Sequence, residues 1–251
     1  MRAEDQSAAS LAEPSPEHAQ SLMAERKFAE ARKEFQAVVD ADIRESGEQS
    51  PKTLHDRIDL AVAKARTGES MTGEKELREL LAIFSRRRGG EHDETLACRT
   101  VLARLLDDLG RPHEAMAEYR QIVEVRERML GPDDLEVART RGLLADAMVD
   151  AREYAQAIPI YRQAYPVLQR ELGPEHRETL LSRSNLAMAC AEDKQYAEAE
   201  KELKEILAIR ERLFGANDVS VLMTCYELGR VLGGCDRFGD AMEYARRART
   251  G

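Results

Sequence analysis

The chain has 251 residues, of which 34% are charged and 5% aromatic, with no tryptophan and a formal net charge of −9. That length is enough for a substantial core, but the balance fits long, surface-rich helices rather than an enzyme built around a deep apolar pocket. The acidic excess repels phosphate backbones and excludes nucleic acid as the partner class.

The chain opens "MRAEDQSAASLAEPSPEH", with acidic residues where a signal peptide needs an apolar stretch. Residues 1–16, rich in Ala, Ser, Glu and Pro, read as a flexible N-terminal arm. No apolar run approaches the length of a bilayer span, so the expected location is the cytoplasm.

Beyond the arm the sequence repeats. Gly47, Gly89, Gly131, Gly173 and Gly215 follow one another at intervals of 42, and "RERMLGPDD" at Arg126–Asp134 returns as "RERLFGAND" at Arg210–Asp218. A period of this size marks a helical array. The predicted units are a degenerate one at about 5–46, then 47–88, 89–130, 131–172, 173–214 and a shortened 215–251, so that 17–251 form the repeat domain. Pro132 and Pro174 follow their glycines directly, which reads as a helix stop made by a left-handed C-terminal residue. Three residues after each glycine stands Ser50, His92, Asp134, His176 or Asp218, each able to accept a hydrogen bond from the first free N–H groups of a new helix. Pro51 follows the first of these at the favoured first helical position, and Glu94, Glu136 and Glu178 add negative charge to first turns.

Each unit then shows two apolar stripes at helical spacing. The first is Leu96, Leu102, Leu105, Leu106 and Leu109, or equivalently Leu180, Leu186, Ala189 and Cys190. After a short break, "DLGRPHE" or "EDKQYAE", the second runs in columns: Ala31, Ala115, Ala157, Ala199, Ala241, then Phe35, Leu77, Tyr119, Tyr161, Leu203, Ala245, then Val38, Leu80, Ile122, Ala164, Ile206, Ala248. A small residue kept one turn before a large one lets two backbones approach closely. Each unit is thus a helical hairpin that gains order from its neighbours. Pro159 and Pro166 inside "AIPIYRQAYPVLQREL" are expected to bend the second helix of the fourth unit.

Chemistry-bearing motifs are missing. Cys98 and Cys190 lie in different repeats and Cys225 and Cys235 share the last, mostly at apolar helical positions, and all read as small hydrophobes. The histidines do not pair at metal-ligand spacing, and His92 and His176, at equivalent turn positions, read as caps. There is no G-x-S-x-G, phosphate-binding glycine loop or H-E-x-x-H, so no enzymatic activity, cofactor or metal is expected. The basic runs at Arg86–Arg88 and at Arg246, Arg247 and Arg249 fall in last turns, where cations complement the helix dipole; an anionic membrane surface is their alternative partner.

The columns resemble the tetratricopeptide repeat (TPR). Leu186, Ala187 and Cys190 fit its first helix, and Tyr154 or Tyr196 with Ala199, Leu203 and Ile206 fit its second. The period of 42 together with "IRERLFGANDVSV" and "LGPEHRETLLSRSNLAMA" resembles the kinesin-light-chain subtype, and a free-standing chain of this length resembles the bacterial kinesin light chains found alongside bacterial tubulins. The resemblance implies an all-α fold, an α-α superhelix (TPR solenoid) of about six hairpins. Its function is expected to be a non-enzymatic protein-interaction scaffold that binds a tubulin-like filament and tethers it to a membrane. The alternatives are a peptide-binding regulatory adaptor, or the repeat portion of a larger signalling protein.

In such arrays the first helices line a concave groove. Matching the repeat pattern places His55, Arg104, Arg139, Asn185, Tyr226 and Arg230 there as the protein-binding set, with Asp108, Asp150 and Glu192 near the inter-helix end. Asn185 in "RSNLA" stands where kinesin light chains carry asparagine-rich segments that hold an extended peptide backbone. The arginines suit acidic side chains or a terminal carboxylate of a partner, and their alternative role is pairing with first-helix acids such as Asp108 and Asp146. Tyr244 on a small-residue terminal helix leaves self-association open.

Overall fold

The computed structural model describes residues 14–250, with side chains as far as Ala248; residues 1–13 of the expected arm lie outside the described residues. The described secondary structure is all helical: α1 (Pro16–Ala24), α2 (Phe28–Ser46), α3 (Pro51–Arg66), α4 (Ser70–Arg88), α5 (Asp93–Asp108), α6 (Pro112–Leu130), α7 (Leu135–Asp150), α8 (Tyr154–Leu172), α9 (Arg177–Glu192), α10 (Tyr196–Phe214), α11 (Val219–Gly234) and α12 (Phe238–Thr250). From α2 to α11, helices of 19 and 16 residues alternate, and each kind recurs every 42 positions. The spacing of the glycines therefore sets the spacing of the helices. Pro16, the last residue of the expected arm, already opens α1, and Ser15 Oγ accepts the His18 N–H at 3.3 Å.

The first helices begin as their sequences dictate. Ser50 Oγ accepts from Thr53 N at 3.1 Å, Asp134 from Glu136 N at 2.7 Å and Asp218 from Ser220 N at 2.8 Å. The two turn histidines do the same work, with Nδ1 of His92 accepting from Glu94 N and Nδ1 of His176 from Glu178 N, both at 3.2 Å. Such caps each contribute about 1 kcal/mol.

The helix stops differ from expectation. Gly131 and its column mates have φ near +90° but ψ near +158°, an extended positive-φ conformation essentially confined to glycine, not the left-handed helical one. The left-handed residues sit instead in the other turn, between the helices of a hairpin. There Arg26, Arg152, Lys194 and Asp236 have φ of 60–66°, and Gly68 and Gly110 fill the same column. The next N–H bonds five residues back, as in Glu153 N to Met148 O at 2.8 Å and Gln195 N to Cys190 O at 2.8 Å, which closes the C-terminal carbonyls of the first helix.

The chain divides into two compact units, Met1–Leu105 and Leu106–Gly251. In the first unit α1 packs on α2, α2 on α3 and α3 on α4. Ala19, Leu22, Ala31, Phe35, Val39, Leu60 and Ala63 form one buried cluster there. In the second, α6, α7, α8, α9, α10, α11 and α12 pack each on the next, and the first helices α7, α9 and α11 also touch in sequence. The column residues Ala115, Ala157, Ala199, Tyr119, Tyr161, Leu203, Ile122, Ala164 and Ile206 are at most 1% exposed. In α12 the columns loosen: Ala245 is exposed, and Ala241 and Ala248 are half-buried. Helix α8 runs unbroken through Pro159 and Pro166. Burial of Ile158, Tyr161, Val167 and Leu168, worth about 1.5–3 kcal/mol each, outweighs the roughly 3 kcal/mol cost of each proline. Cys98, Cys190 and Cys225 are buried and Cys235 half-buried, all as free thiols.

Candidate protein-binding surface

Residues four, seven or eight apart lie on one helix face, and the outward face of the first helices in the second unit carries most of the expected set. Arg139 on α7 ion-pairs with Glu136 at 2.6 Å on its own helix and with Glu178 on α9 at 2.9 Å. Those hydrogen bonds hold its guanidinium above, and the Glu178 carboxyl below, their usual ranges. Asn185 Nδ2 donates to Asp146 Oδ1 at 2.9 Å, from α9 back to α7. Arg230 on α11 pairs with Glu192, the last residue of α9, at 2.5 Å. Tyr226, one turn before Arg230, is 58% exposed. These four residues are thus brought to one continuous face, and three of them bridge consecutive first helices.

The remaining two lie in the first unit. His55 is exposed on α3, where its Nδ1 bonds Pro51 O at 2.7 Å and its ring meets Phe84 of α4 edge-on at 5.7 Å. Arg104 is exposed on α5.

Arg139 and Arg230 do pair with first-helix acids, namely Glu136, Glu178 and Glu192. Asp146 is committed to Asn185 and to the hydroxyl of Tyr161, whose phenol is pushed up by burial and then by the Asp146 charge. Beside it, Asp107 is pushed up to about 6 by burial and by the charges of Asp150, Asp108 and Asp146. Asp108, Asp150 and Glu192 each end their helices, and no basic residue occupies the last turn of α5, α7 or α9. Acids at these ends oppose the helix dipole, and of the three Glu192 is paired with Arg230.

Sequence reasoning missed the apolar part of the surface. Leu181, Val219 and Met223 are 52%, 70% and 58% exposed, and with Tyr226 they form a stripe along α9 and α11. The signal was present, since Leu181 and Met223 continue the 42-residue column of His55 and Arg139. Where the stripe ends, a half-open cleft of about 220 Å³ lies among Met188, Glu192, Lys194, Tyr196, Arg230 and Gly234. Gly234 makes room for it, because a Cβ there would stand 2.7 Å from the Tyr196 ring. Among the described residues no helix is long and apolar enough to cross a membrane, and no three metal-ligating side chains gather.

The sequence profile of the tetratricopeptide repeat matches residues 57–128, 108–170, 136–211 and 177–251. No curated protein sequence matches the chain significantly. Among solved structures, the nearly identical TPR-like repeats of a protein described as a kinesin light chain from Podosopora anserina superpose with a TM-score of 0.71 at 24% identity, covering 80% of this chain and 95% of that one. BtubC (BKLC) from P. vanneervenii gives a TM-score of 0.73 at 22% identity over 90% of this chain and 89% of that one. The apo form of RapI gives 0.66 at 15% identity over 93% and 72%. These likenesses are of fold.

Proposed function

Because the chain belongs to the tetratricopeptide repeat family, we propose that it is a non-enzymatic protein-interaction scaffold of the kinesin-light-chain type, which binds a tubulin-like filament in the cytoplasm through the first-helix face of α7, α9 and α11. The observation that carries the surface is the exposed stripe of Leu181, Val219, Met223 and Tyr226. A contiguous apolar surface rimmed by polar groups is the signature of an interaction site. The rim here is organised in advance: Arg139 and Arg230 are held by Glu178 and Glu192, so a partner meets fixed rather than mobile charges. The filament reading is supported by the likeness in fold to BtubC (BKLC) and by the repeat strings that resemble bacterial kinesin light chains.

The test is co-sedimentation of the full chain with assembled bacterial tubulin. Binding that is retained on glutamate substitution at Arg104 but lost in Met223→Asp and Tyr226→Ala supports the reading. Filaments that pellet without the chain remove the filament as partner, and binding unaffected at Met223 and Tyr226 removes the surface.

A second reading, capture of an extended peptide, is favoured by the acidic helix ends of Asp108, Asp150 and Glu192 beside the apolar stripe. That combination suits a segment of alternating apolar and basic side chains, and a peptide array of such segments distinguishes the two readings.

A further inference from the structure

One position near the end of each second helix recurs at the 42-residue period and, in α2, α6 and α10, faces the first turns of the following first helix. It is occupied by Asp42, Phe84, Arg126, Leu168 and Arg210. Where it is charged, the opposing helix answers. Asp42 accepts from Lys52 Nζ at 2.7 Å, and Arg126 lies 3.4 Å from Glu136 Oε2, the same two positions with the charges exchanged. Arg210 repeats the hydrogen bonds of Arg126 closely. Arg126 Nη1 donates to Thr140 Oγ1 at 2.6 Å and to Glu136 O at 3.3 Å; Arg210 Nη1 donates to Thr224 Oγ1 at 2.6 Å and to Ser220 O at 3.3 Å. The acid alone is missing, because Ser220 stands in the column of Glu94, Glu136 and Glu178.

Arg210 is nonetheless 8% exposed. A buried guanidinium without a hydrogen-bonded carboxylate is costly, and burial draws its affinity for the proton below the ordinary arginine range. The nearest charges are Asp218, the N-cap, already bonded to Ser220 N and Oγ, and Glu227, engaged by Ser184 at 3.0 Å. Ser220 itself is partly exposed, in the first turn of α11, where negative charge is favoured.

We propose that Ser220 is a phosphorylation site, whose phosphoryl group supplies the acid that Arg210 lacks and closes the junction between α10 and α11. A protein serine kinase would transfer the γ-phosphoryl of a nucleoside triphosphate: the Ser220 Oγ–P bond forms, the bond from that phosphorus to the bridging oxygen breaks, the nucleoside diphosphate leaves and the hydroxyl proton passes to the kinase's base. The product carries about −1.5 to −2 charges and several acceptor oxygens, suited to forked bonding by a guanidinium. Asp218 is no obstacle, since Asp134 caps α7 beside Glu136 in the same way. The modified helix is α11, which carries Met223, Tyr226 and Arg230, but the site stands on the repeat comparison and not on any partner.

The experiment installs phosphoserine at position 220 of the full chain by codon suppression and follows thermal unfolding at low and high salt. The expected result is an upward shift of about 2–4 °C at low salt, reduced at high salt, reproduced in part by Ser220→Glu and not by Ser220→Ala. An unchanged or lowered midpoint for both the phosphorylated chain and Ser220→Glu overturns the charge pairing. Peptide mass spectrometry of the chain from the cells that make it tests use of the site: a phosphorylated Ser220 peptide supports the proposal, and full recovery of that peptide unmodified overturns it.

Discussion

Asn185 on α9 and Tyr161 on α8 both donate to the carboxylate of Asp146 on α7. The asparagine that the repeat pattern assigns to a partner's backbone is therefore engaged within the protein, joining one hairpin to the next. Tyr161 is 1% exposed, so Asp146→Ala strands a buried hydroxyl and is expected to destabilise by about 1–3 kcal/mol. Asn185→Ala removes one bond from a half-buried site and should cost about 1 kcal/mol or less. Urea denaturation of the two variants checks the order; an Asp146→Ala chain as stable as the parent would mean the network is not closed.

Asp42 and Asp56 make the first unit sensitive to pH. Both are nine-tenths buried, each keeps one carboxylate oxygen without a hydrogen-bond partner, and the two lie close together beside Lys52, with Asp59 also near. Two buried carboxyl groups so close are stabilised by a proton between them, and burial, then the Asp42 contact, push Asp56 up to about 7, while the Asp56 contact holds Asp42 low. The folded state thus keeps a proton that the unfolded chain releases near pH 4. The stability from Asp56 is fully present below about pH 4 and is lost as pH rises to about 7. Asp42 acts oppositely, its contribution being lost only as pH falls below the ordinary carboxylate range. Stability measured from pH 4 to 8 should fall less steeply in Asp56→Asn than in the parent; equal slopes would remove the shared proton.

Gly131 closes α6 at φ +90° and ψ +158°. A Cβ there would touch nothing within 4 Å, so substitution tests backbone conformation alone. Gly131→Ala is expected to lose about 1–3 kcal/mol, read as a drop in melting temperature. A melt unchanged from the parent would show that the joint relaxes at no cost.

At Gly73 consensus and structure disagree. Its column elsewhere holds Ala31, Ala115, Ala157 and Ala199, and alanine favours a helix over glycine by about 1 kcal/mol. Yet a Cβ on Gly73 would lie 2.3 Å from Ala61 O and 3.0 Å from Ala65 Cβ, all within the first unit. Overpacking against backbone costs about 1–3 kcal/mol, so Gly73→Ala is expected to destabilise. Stabilisation in calorimetry would show that α3 and α4 can separate freely.

The period, the helices and the buried columns were legible because each follows from local rules: caps, breakers and apolar spacing. The capping histidines were readable for the same reason, since His92 and His176 recur at one place in a repeated turn. The left-handed turn was misplaced because glycine followed by proline is a loud signal, whereas Arg152 and Lys194 are not residues from which positive φ is read. The partners of Arg139 and Arg230 were not legible either. Which acid an arginine reaches depends on how neighbouring first helices are offset, and that offset puts Glu178 and Glu192 within reach while Tyr161 and Asn185 occupy Asp146.

The column of Asp42, Phe84, Arg126, Leu168 and Arg210 alternates charged with apolar, so apart from Asp42, whose pairing with Lys52 has the opposite sense, the junctions recur every second hairpin although the helices recur every one. Excising residues 89–130 would set Phe84 against Glu136 and Thr140, which accompany an arginine. Excising residues 131–214 would give Arg126 the Ser220 and Thr224 that Arg210 already meets. The cassette by which a gene of this kind can grow or shrink without disturbing its seams is accordingly the pair of hairpins, not the single one.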